Sequence, residues 1–325
     1  MKTILITGCA GFIGINLIRR ILKNTDDRII GLDNLLTSSE PFSTDSPESH
    51  LLKARFQFIK CDVVKDLDIL NTLPKIDEIY HLASIASPPK YRKYPIETLD
   101  VNVIGTRNML DLAVKHGATF LLTSTSEVYG DPLEHPQKES YYGNVNTVGE
   151  RSCYDESKRC AETYVYEYRR KYDVSGSNFK ICRIFNTYGP YMDIHDGRVV
   201  TNMIKHIIQN KPILIHGDGK QTRSFCYIDD LLDGISALME SSEVGPINLG
   251  NPNTECSMTK LVQIFEKIMN CKLIVTYVPK MENDPLVRKP DIRSAKNLLG
   301  FSPKIGLEEG LQKTFEHFIN VYRPT

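Results

Sequence analysis

Apolar residues along the chain follow two alternating rhythms. Short runs rich in Ile, Leu, Val and Phe alternate with longer stretches in which apolar positions recur every three or four residues. A short, continuously apolar run fits a strand covered on both faces, and the longer rhythm fits an amphipathic helix. Strands are expected at residues 2–7, 28–33, 56–63, 78–84, 119–124 and 179–185. Between them, residues 12–23 predict a helix with Ile13, Leu17, Ile18, Ile21 and Leu22 on one face. Pro95 opens another, to Lys115, and a third covers residues 150–172. Residues 34–54, rich in Ser, Pro and Glu, read as a surface loop. Later come a helix from Arg198 to Gln209, a strand at 212–216, a turn at 248–252 and a loop at 284–290. Asp229 and Asp230 would cap a further helix. Strands alternating with helices at this rhythm predict an α/β, doubly wound, mainly parallel sheet.

The turn between the first strand and helix sharpens that picture. Gly8, Gly11 and Gly14 surround Cys9, Ala10, Phe12 and Ile13. Such glycines let the backbone turn tightly, approach a pyrophosphate and pack the helix on the strand. The anion would sit at the helix N-terminus, where free N–H groups and the dipole favour negative charge. Asp33 ends the second strand nineteen positions after Gly14. There it can accept from a ribose diol and disfavour a 2′-phosphate, selecting NAD over NADP, or simply cap the next turn. Asp62, ending the third strand, can meet an adenine amino group or form a turn. His81 reads as a packed histidine, since no partner has metal-ligand spacing.

The 325 residues carry forty basic and forty acidic side chains, and the pI is about 7.1. That balance gives no field for nucleic acid or membrane surfaces. No stretch reaches the ~18 apolar residues of a membrane span, and the N-terminal run is too short for a secretory signal. Eight scattered cysteines without metal spacing suggest reduced thiols in a cytoplasmic protein.

Candidate chemistry lies in two polar segments. Tyr154 and Lys158 are four apart, so a helix places both on one face. A phenol normally titrates near pH ~10, and a fixed ammonium beside it lowers that value. Such a pair can remove a hydroxyl proton while hydride leaves the same carbon. Thr125, Ser126 and Glu127 close the fifth strand, at the sheet edge where ligands bind. Thr125 can donate to the oxygen that Tyr154 deprotonates, and Glu127 can act as an acid/base group or orient the substrate, unless Ser126 and Glu127 simply form a polar strand end that caps a loop.

These segments resemble the extended short-chain dehydrogenase/reductases that modify nucleotide-activated sugars, and within them the UDP-glucuronate decarboxylases. The resemblance runs nearly end to end. It is carried by residues 7–14, 86–89, 124–132 and 143–146, then by 151–156, 183–190, 196–200, 217–225 and 288–292. It implies a Rossmann-like fold with a smaller α+β substrate-binding domain. Residues 1–185 with 226–250 would bind NAD, and 186–225 with 251–325 the nucleotide sugar. Thr125, Tyr154 and Lys158 would be the reductase triad, with Ser126 and Glu127 facing C5 and its carboxylate. The cofactor set would be Gly8, Gly11, Phe12, Ile13, Gly14, Asp33, Asn34, Asp62, Val63, Leu82, Ala83, Asn102, Thr123, Tyr154 and Lys158. Asn186, Arg198, Val200, Asn202, His216, Arg223, Tyr227 and Arg288 would bind the UDP-sugar, with Arg223 and Arg288 clamping the diphosphate. A homodimer would form through the helices around 100–116 and 150–172.

The implied reaction oxidises C4, releases carbon dioxide from the β-keto acid and reduces C4 again, converting UDP-glucuronate to UDP-xylose. Related dehydratases carry Asp where this chain has Ser126, and Ser126 cannot be that acid. Tyr142 stands where the family commonly has Trp, Ser84-Ile85-Ala86 replaces a small-Pro-Ala run, and the loop after Asp33 is longer and more acidic. A dehydratase or epimerase acting on another UDP-sugar, such as UDP-N-acetylglucosamine, is therefore one alternative. A non-catalytic NAD-binding regulatory protein is another.

Overall fold

The computed structural model describes residues 1–42, 49–173, 178–279 and 287–322. β1 (Thr3–Thr7) leads to α1 (Phe12–Asn24), β2 (Arg28–Asp33) to α2 (Ser49–Arg55), and β3 (Phe56–Lys60) to α3 (Leu67–Asn71). β4 (Glu78–His81) precedes α4 (Pro88–Lys93), α5 (Pro95–Asp100) and α6 (Thr106–His116). β5 (Thr119–Thr125), α7 (Ser152–Tyr172) and β6 (Phe179–Ile184) follow. The chain then forms β7 (Thr187–Tyr188), α8 (Val199–Ile208), β8 (Ile213–His216), β9 (Thr222–Ser224) and β10 (Cys226–Tyr227). It returns through α9 (Ile228–Glu240) to β11 (Ile247–Leu249). β12 (Glu255–Ser257), α10 (Met258–Met269), β13 (Val275–Val278), β14 (Val287–Arg288), α11 (Arg293–Leu299) and α12 (Leu307–Tyr322) come last.

Seven parallel strands form the central sheet in the order β3-β2-β1-β4-β5-β6-β11. Helices cover both faces, which is why the strands read as continuous apolar runs rather than alternating ones. Ile4 and Ile6 face the core that holds Leu17, Ile18, Ile21 and Leu22 of α1. Leu5, between them, faces the opposite core with Met109, Leu110 and Ala113 of α6 and Ala161 and Val165 of α7. Strand order reverses between β1 and β4, so their connections leave in opposite directions and a crevice opens at the carboxyl ends. Smaller sheets, β10-β7, β12-β9-β14 and β13-β8, stand beside it.

Several sequence expectations are corrected. The 34–54 loop contains the start of α2, whose Leu52 is buried; one apolar pair among polar residues is too short to announce a helix. The helix from Pro95 is broken by a π turn over Val101–Gly105 and then runs to His116. The turn expected at 248–252 is displaced, because Asn248 lies within β11. Its side chain donates to the carbonyls of Gln137 and Asp291 and accepts from the Tyr129 hydroxyl, which satisfies a buried amide. The N-cap of α9 is Tyr227, and Asp230 instead accepts from the backbone N–H groups of Lys304 and Ile305, both at 2.9 Å. Of the loop expected at 284–290, residues 284–286 lie outside the described residues. Val287–Arg288 forms a strand beside β9.

Candidate active site

A cavity of about 1300 Å³ occupies the crevice, ample for a dinucleotide and a second ligand. Gly8 turns the chain at its floor with φ +66°, and a Cβ there would lie 2.7 Å from the Ala83 nitrogen. A Cβ on Gly14 would meet the Gly8 carbonyl at 2.5 Å, so α1 can seat on the turn only with glycine here. Gly11 is the N-cap of α1 and has no capping side chain. The first N–H groups of the helix therefore face the cavity, as a pyrophosphate requires.

Asp33 sits on the cavity wall at the end of β2. One carboxylate oxygen accepts from the Ala10 N–H at 3.0 Å, and the other from Leu35 N–H at 2.9 Å and Ser38 Oγ at 3.0 Å. It thus organises its own loop while lining the cavity. Asp62 does the same: it accepts from Val64 N–H at 2.9 Å and Asn34 Nδ2 at 3.3 Å. Asn34, Val63, Leu82, Ala83 and Thr123 also line the wall, whereas Asn102 does not. The π turn directs Asn102 into the protein, where its Nδ2 donates to Ser157 Oγ at 2.9 Å. These cradle residues fit NAD.

Beneath them His81 is buried between Thr7 Oγ1 at 2.8 Å and Thr106 Oγ1 at 3.1 Å. Burial, reinforced by the Lys158 charge, lowers its pKa to about 3. A neutral imidazole, one nitrogen donating and the other accepting, fits both hydroxyls.

Thr125, Ser126 and Glu127 form the end of β5 and the start of a 3₁₀ turn (Ser126–Tyr129). Thr125 Oγ1 accepts from the Glu127 N–H at 3.2 Å. Its single proton is then free for the Tyr154 phenol, whose ionised form the Thr125 hydroxyl favours. Tyr154 is buried, its ring stacked on Tyr91 with centroids 5.4 Å apart and planes 6° from parallel.

Here the structure overturns one expectation. Lys158 donates to the Thr123 carbonyl at 2.9 Å, and burial raises the phenol to about 12 while the Thr125 hydrogen bond pulls it down. Burial also lowers Lys158 to about 8. Helical spacing places both groups on one face, but the ammonium takes the Thr123 carbonyl within β5.

Glu127 is the electrostatic centre. Burial pushes its pKa up, but Arg288, Arg151 and Arg223 pull harder and bring it to about 2. Arg151 and Arg288 both form salt bridges with it, and Arg288 Nη2 also donates to the Gly130 carbonyl at 2.7 Å. Arg288, expected as a diphosphate clamp, is 2% exposed and engaged with the carboxylate. Asp155 lies in the same field with a buried, unpartnered Oδ1. Burial and the Glu127 charge raise its pKa to about 7.

On the opposite wall stand Asn186, Arg198, Val200, Asn202, His216 and Arg223. Arg198 Nε donates to Asp196 at 2.7 Å and Asn202 Nδ2 to the Gly197 carbonyl at 2.9 Å. Tyr227 is not on this wall. It packs edge-on against Tyr188, with centroids 5.8 Å apart, and meets Gly310 of α12.

The sequence reading did not single out Tyr91, Arg151 or Asp155. Arg151 precedes Tyr154 by three positions, a helical spacing that could have pointed to it. The Tyr91 stack joins α4 to α7 and has no local signature.

A family model, the NAD dependent epimerase/dehydratase family, matches residues 4–250. UDP-glucuronic acid decarboxylase 1 of Arabidopsis thaliana is 48% identical over 318 residues, spanning 98% of this chain and 70% of that protein. UDP-glucuronic acid decarboxylase 1 of Xenopus tropicalis is 45% identical over 317 residues, spanning 98% and 72%. Among solved structures, a UDP-glucuronic acid 4-epimerase from Bacillus cereus, in complex with UDP-glucuronic acid and NAD, has a TM-score of 0.86 at 29% identity. The match covers 98% of this chain and 100% of that one. With the glycine cradle, the reversed strand order and a match across three quarters of its length, the chain belongs to the NAD-dependent epimerase/dehydratase family.

Proposed function

We propose that this enzyme converts UDP-glucuronate to UDP-xylose. The observation that carries the reading is Ser126–Glu127 at the end of β5, with Arg151 and Arg288 bound to Glu127 and Thr125 on the Tyr154 phenol. Bound NAD supplies the acceptor, and later the donor, of the C4 hydride. As the phenolate, the form that the Thr125 hydroxyl favours, Tyr154 takes the proton of the C4 hydroxyl. Lys158 holds its ammonium at the strand end and orients what binds there. The C4 ketone is β to the C5 carboxylate, so the C5–C6 bond breaks and its electron pair passes into an enolate. The arginines around Glu127 receive the sugar carboxylate before it leaves as carbon dioxide, and Ser126 and Glu127 face C5 as the enolate takes up a proton that comes from solvent water. Tyr154 returns its proton to O4 when C4 is reduced. Arg198, Asn202 and Arg223 bind the diphosphate and sugar from the facing wall.

In this reading, residues 1–185 with 226–250 hold the cofactor and the remaining segments hold the sugar nucleotide. Two copies associate through α6 and α7, where Val114, Tyr166 and Tyr172 are exposed, with Ile104 exposed on the π turn before α6. The eight unpaired cysteines fit a reducing, cytoplasmic setting.

Proton NMR of the protein with catalytic NAD tests the reading, using UDP-glucuronate in one tube and UDP-N-acetylglucosamine in another. UDP-xylose in the first supports decarboxylation. Conversion only in the second, or UDP-galacturonate in the first, replaces it with dehydration or epimerisation. Tyr154→Phe should lose nearly all turnover yet bind NAD and UDP-sugar in calorimetry. A regulatory protein would show no turnover to lose.

A further inference from the structure

α4 is six residues long, yet walls of the cavity meet on it. Lys90 Nζ donates to the Thr37 carbonyl, in the loop after Asp33, and to Asp193 Oδ2, ahead of α8, both at 2.7 Å. Ser87 Oγ, just before α4, donates to the buried Asp196 carbonyl at 2.5 Å. Gly197 packs against Pro89 so closely that a Cβ would lie 2.4 Å from the ring. On the other side, Cys153 Sγ of α7 donates to the Tyr91 carbonyl at 3.7 Å. Thr37, Lys90, Asp193, Asp196 and Gly197 all line the cavity. Lys90 therefore crosses from the wall behind Asp33 to the wall that leads to Arg198, and ties the two together.

We propose that Lys90 is a positioning residue, a strap that keeps the reduced cofactor in the cavity until C4 has been reduced again. The inference rests on the proposed function, because only a reaction that oxidises and then reduces one sugar depends on such retention. In the first half, C4 loses a hydride to NAD and a proton to Tyr154, and C5 loses carbon dioxide. In the second half the same hydride returns to C4, giving the pentose and NAD. If NADH escapes between the halves, the products are one 4-keto-pentose, one carbon dioxide and one NADH for each NAD consumed. Retention of the cofactor thus sets which product leaves.

The strap is strong enough to delay escape and weak enough to open. Lys90 and Asp193 are 24% and 42% exposed at their side chains, so their ion pair is worth little alone. The added hydrogen bond to Thr37 anchors the same ammonium to a second wall.

Lys90→Met keeps the aliphatic stem and removes the charge, and Asp193→Asn removes the partner. Each variant is loaded with NADH and diluted into excess NAD, and the loss of bound-NADH fluorescence is followed. This needs no sugar. Release should be about five- to tenfold faster in Lys90→Met and faster in Asp193→Asn. Salt at about 0.5 M should move the wild type toward the variants. With UDP-glucuronate, proton NMR should show a larger share of 4-keto-pentose from Lys90→Met, matched one-to-one by NADH in the ultrafiltrate. Release within twofold of wild type in both folded variants, or an unchanged ketone share despite faster release, overturns the inference. If wild type leaves UDP-glucuronate unconverted, the proposed function fails, and the fluorescence result still decides whether Lys90 holds the cofactor.

Discussion

Arg288→Met should destabilise the protein far more than an average surface substitution. The Arg288 side chain is 3% exposed and that of Glu127 16%. Its guanidinium meets Glu127 through Nη1 and the Gly130 carbonyl through Nη2. Methionine has similar bulk but supplies neither donor, leaving a buried carboxylate with reduced compensation. The pKa of Glu127, about 2 against an ordinary 4.5, corresponds to roughly 3 kcal/mol of favourable interaction with the anion. Breaking a buried pair from one side costs about 3–5 kcal/mol, and urea denaturation at pH 7 should read a loss in that range. The pH dependence follows from linkage. A depressed carboxylate pKa stabilises the fold fully above the unfolded value near 4.5 and loses that contribution as pH falls toward 2. The gap between wild type and variant should therefore shrink to under half between pH 7 and pH ~3. Glu127→Leu combined with Arg288→Met removes both charges of the pair and should recover part of the loss, the remainder reflecting Arg151, which loses the same carboxylate. A single-variant loss below about 1 kcal/mol, or one that does not change between pH 7 and 3, would refute the reasoning.

Gly14→Ala forces a Cβ to within 2.5 Å of the Gly8 carbonyl and 2.8 Å of Cys9, both backbone. α1 must shift, so NAD recovered from the denatured protein should fall at least about tenfold; unchanged NAD content would contradict the cradle. Asp155→Asn should stabilise the protein at pH 8 but much less at pH 5. The raised pKa of Asp155, about 7 against 3.8, means the native state holds a proton that the unfolded state has lost, so wild-type stability falls as pH rises through that window. Equal effects at both pH values would exclude a protonated Asp155. Tyr166, 52% exposed on α7, belongs to the proposed dimer face. Light scattering should give about twice 36.9 kDa for the wild type and a monomer for Tyr166→Glu. Identical masses would exclude that face.

The sheet was legible because helices cover both faces of it, and continuous apolar runs between glycines and amphipathic stretches announce that arrangement before any contact is known. The glycine turn was legible because its demand is local: at Gly14 no side chain fits between α1 and the Gly8 carbonyl. β11 was hidden because Ile247 and Leu249 flank a polar residue satisfied by carbonyls at Gln137 and Asp291, far away in sequence. The π turn was hidden for a similar reason. Helical periodicity says which residues share a face, but not that one extra residue will turn Asn102 toward Ser157.

The site shows the same division between spacing and surroundings. Tyr154 and Lys158 share a face because they are four apart on α7, yet that spacing did not determine which group lowers the phenol. In the folded chain the ammonium is committed to the Thr123 carbonyl, and the Thr125 hydroxyl is what most favours the Tyr154 phenolate. Thr125 can do so because its hydroxyl oxygen already accepts from the Glu127 N–H, leaving its proton for the phenol. That N–H belongs to the residue whose carboxylate Arg151 and Arg288 bind. The hydroxyl that tunes the proposed base and the carboxylate proposed to face C5 are therefore fixed by one turn at the end of β5. A change in the arginines around Glu127 can reach Tyr154 through the Glu127 N–H and the Thr125 hydroxyl, without altering either of those residues.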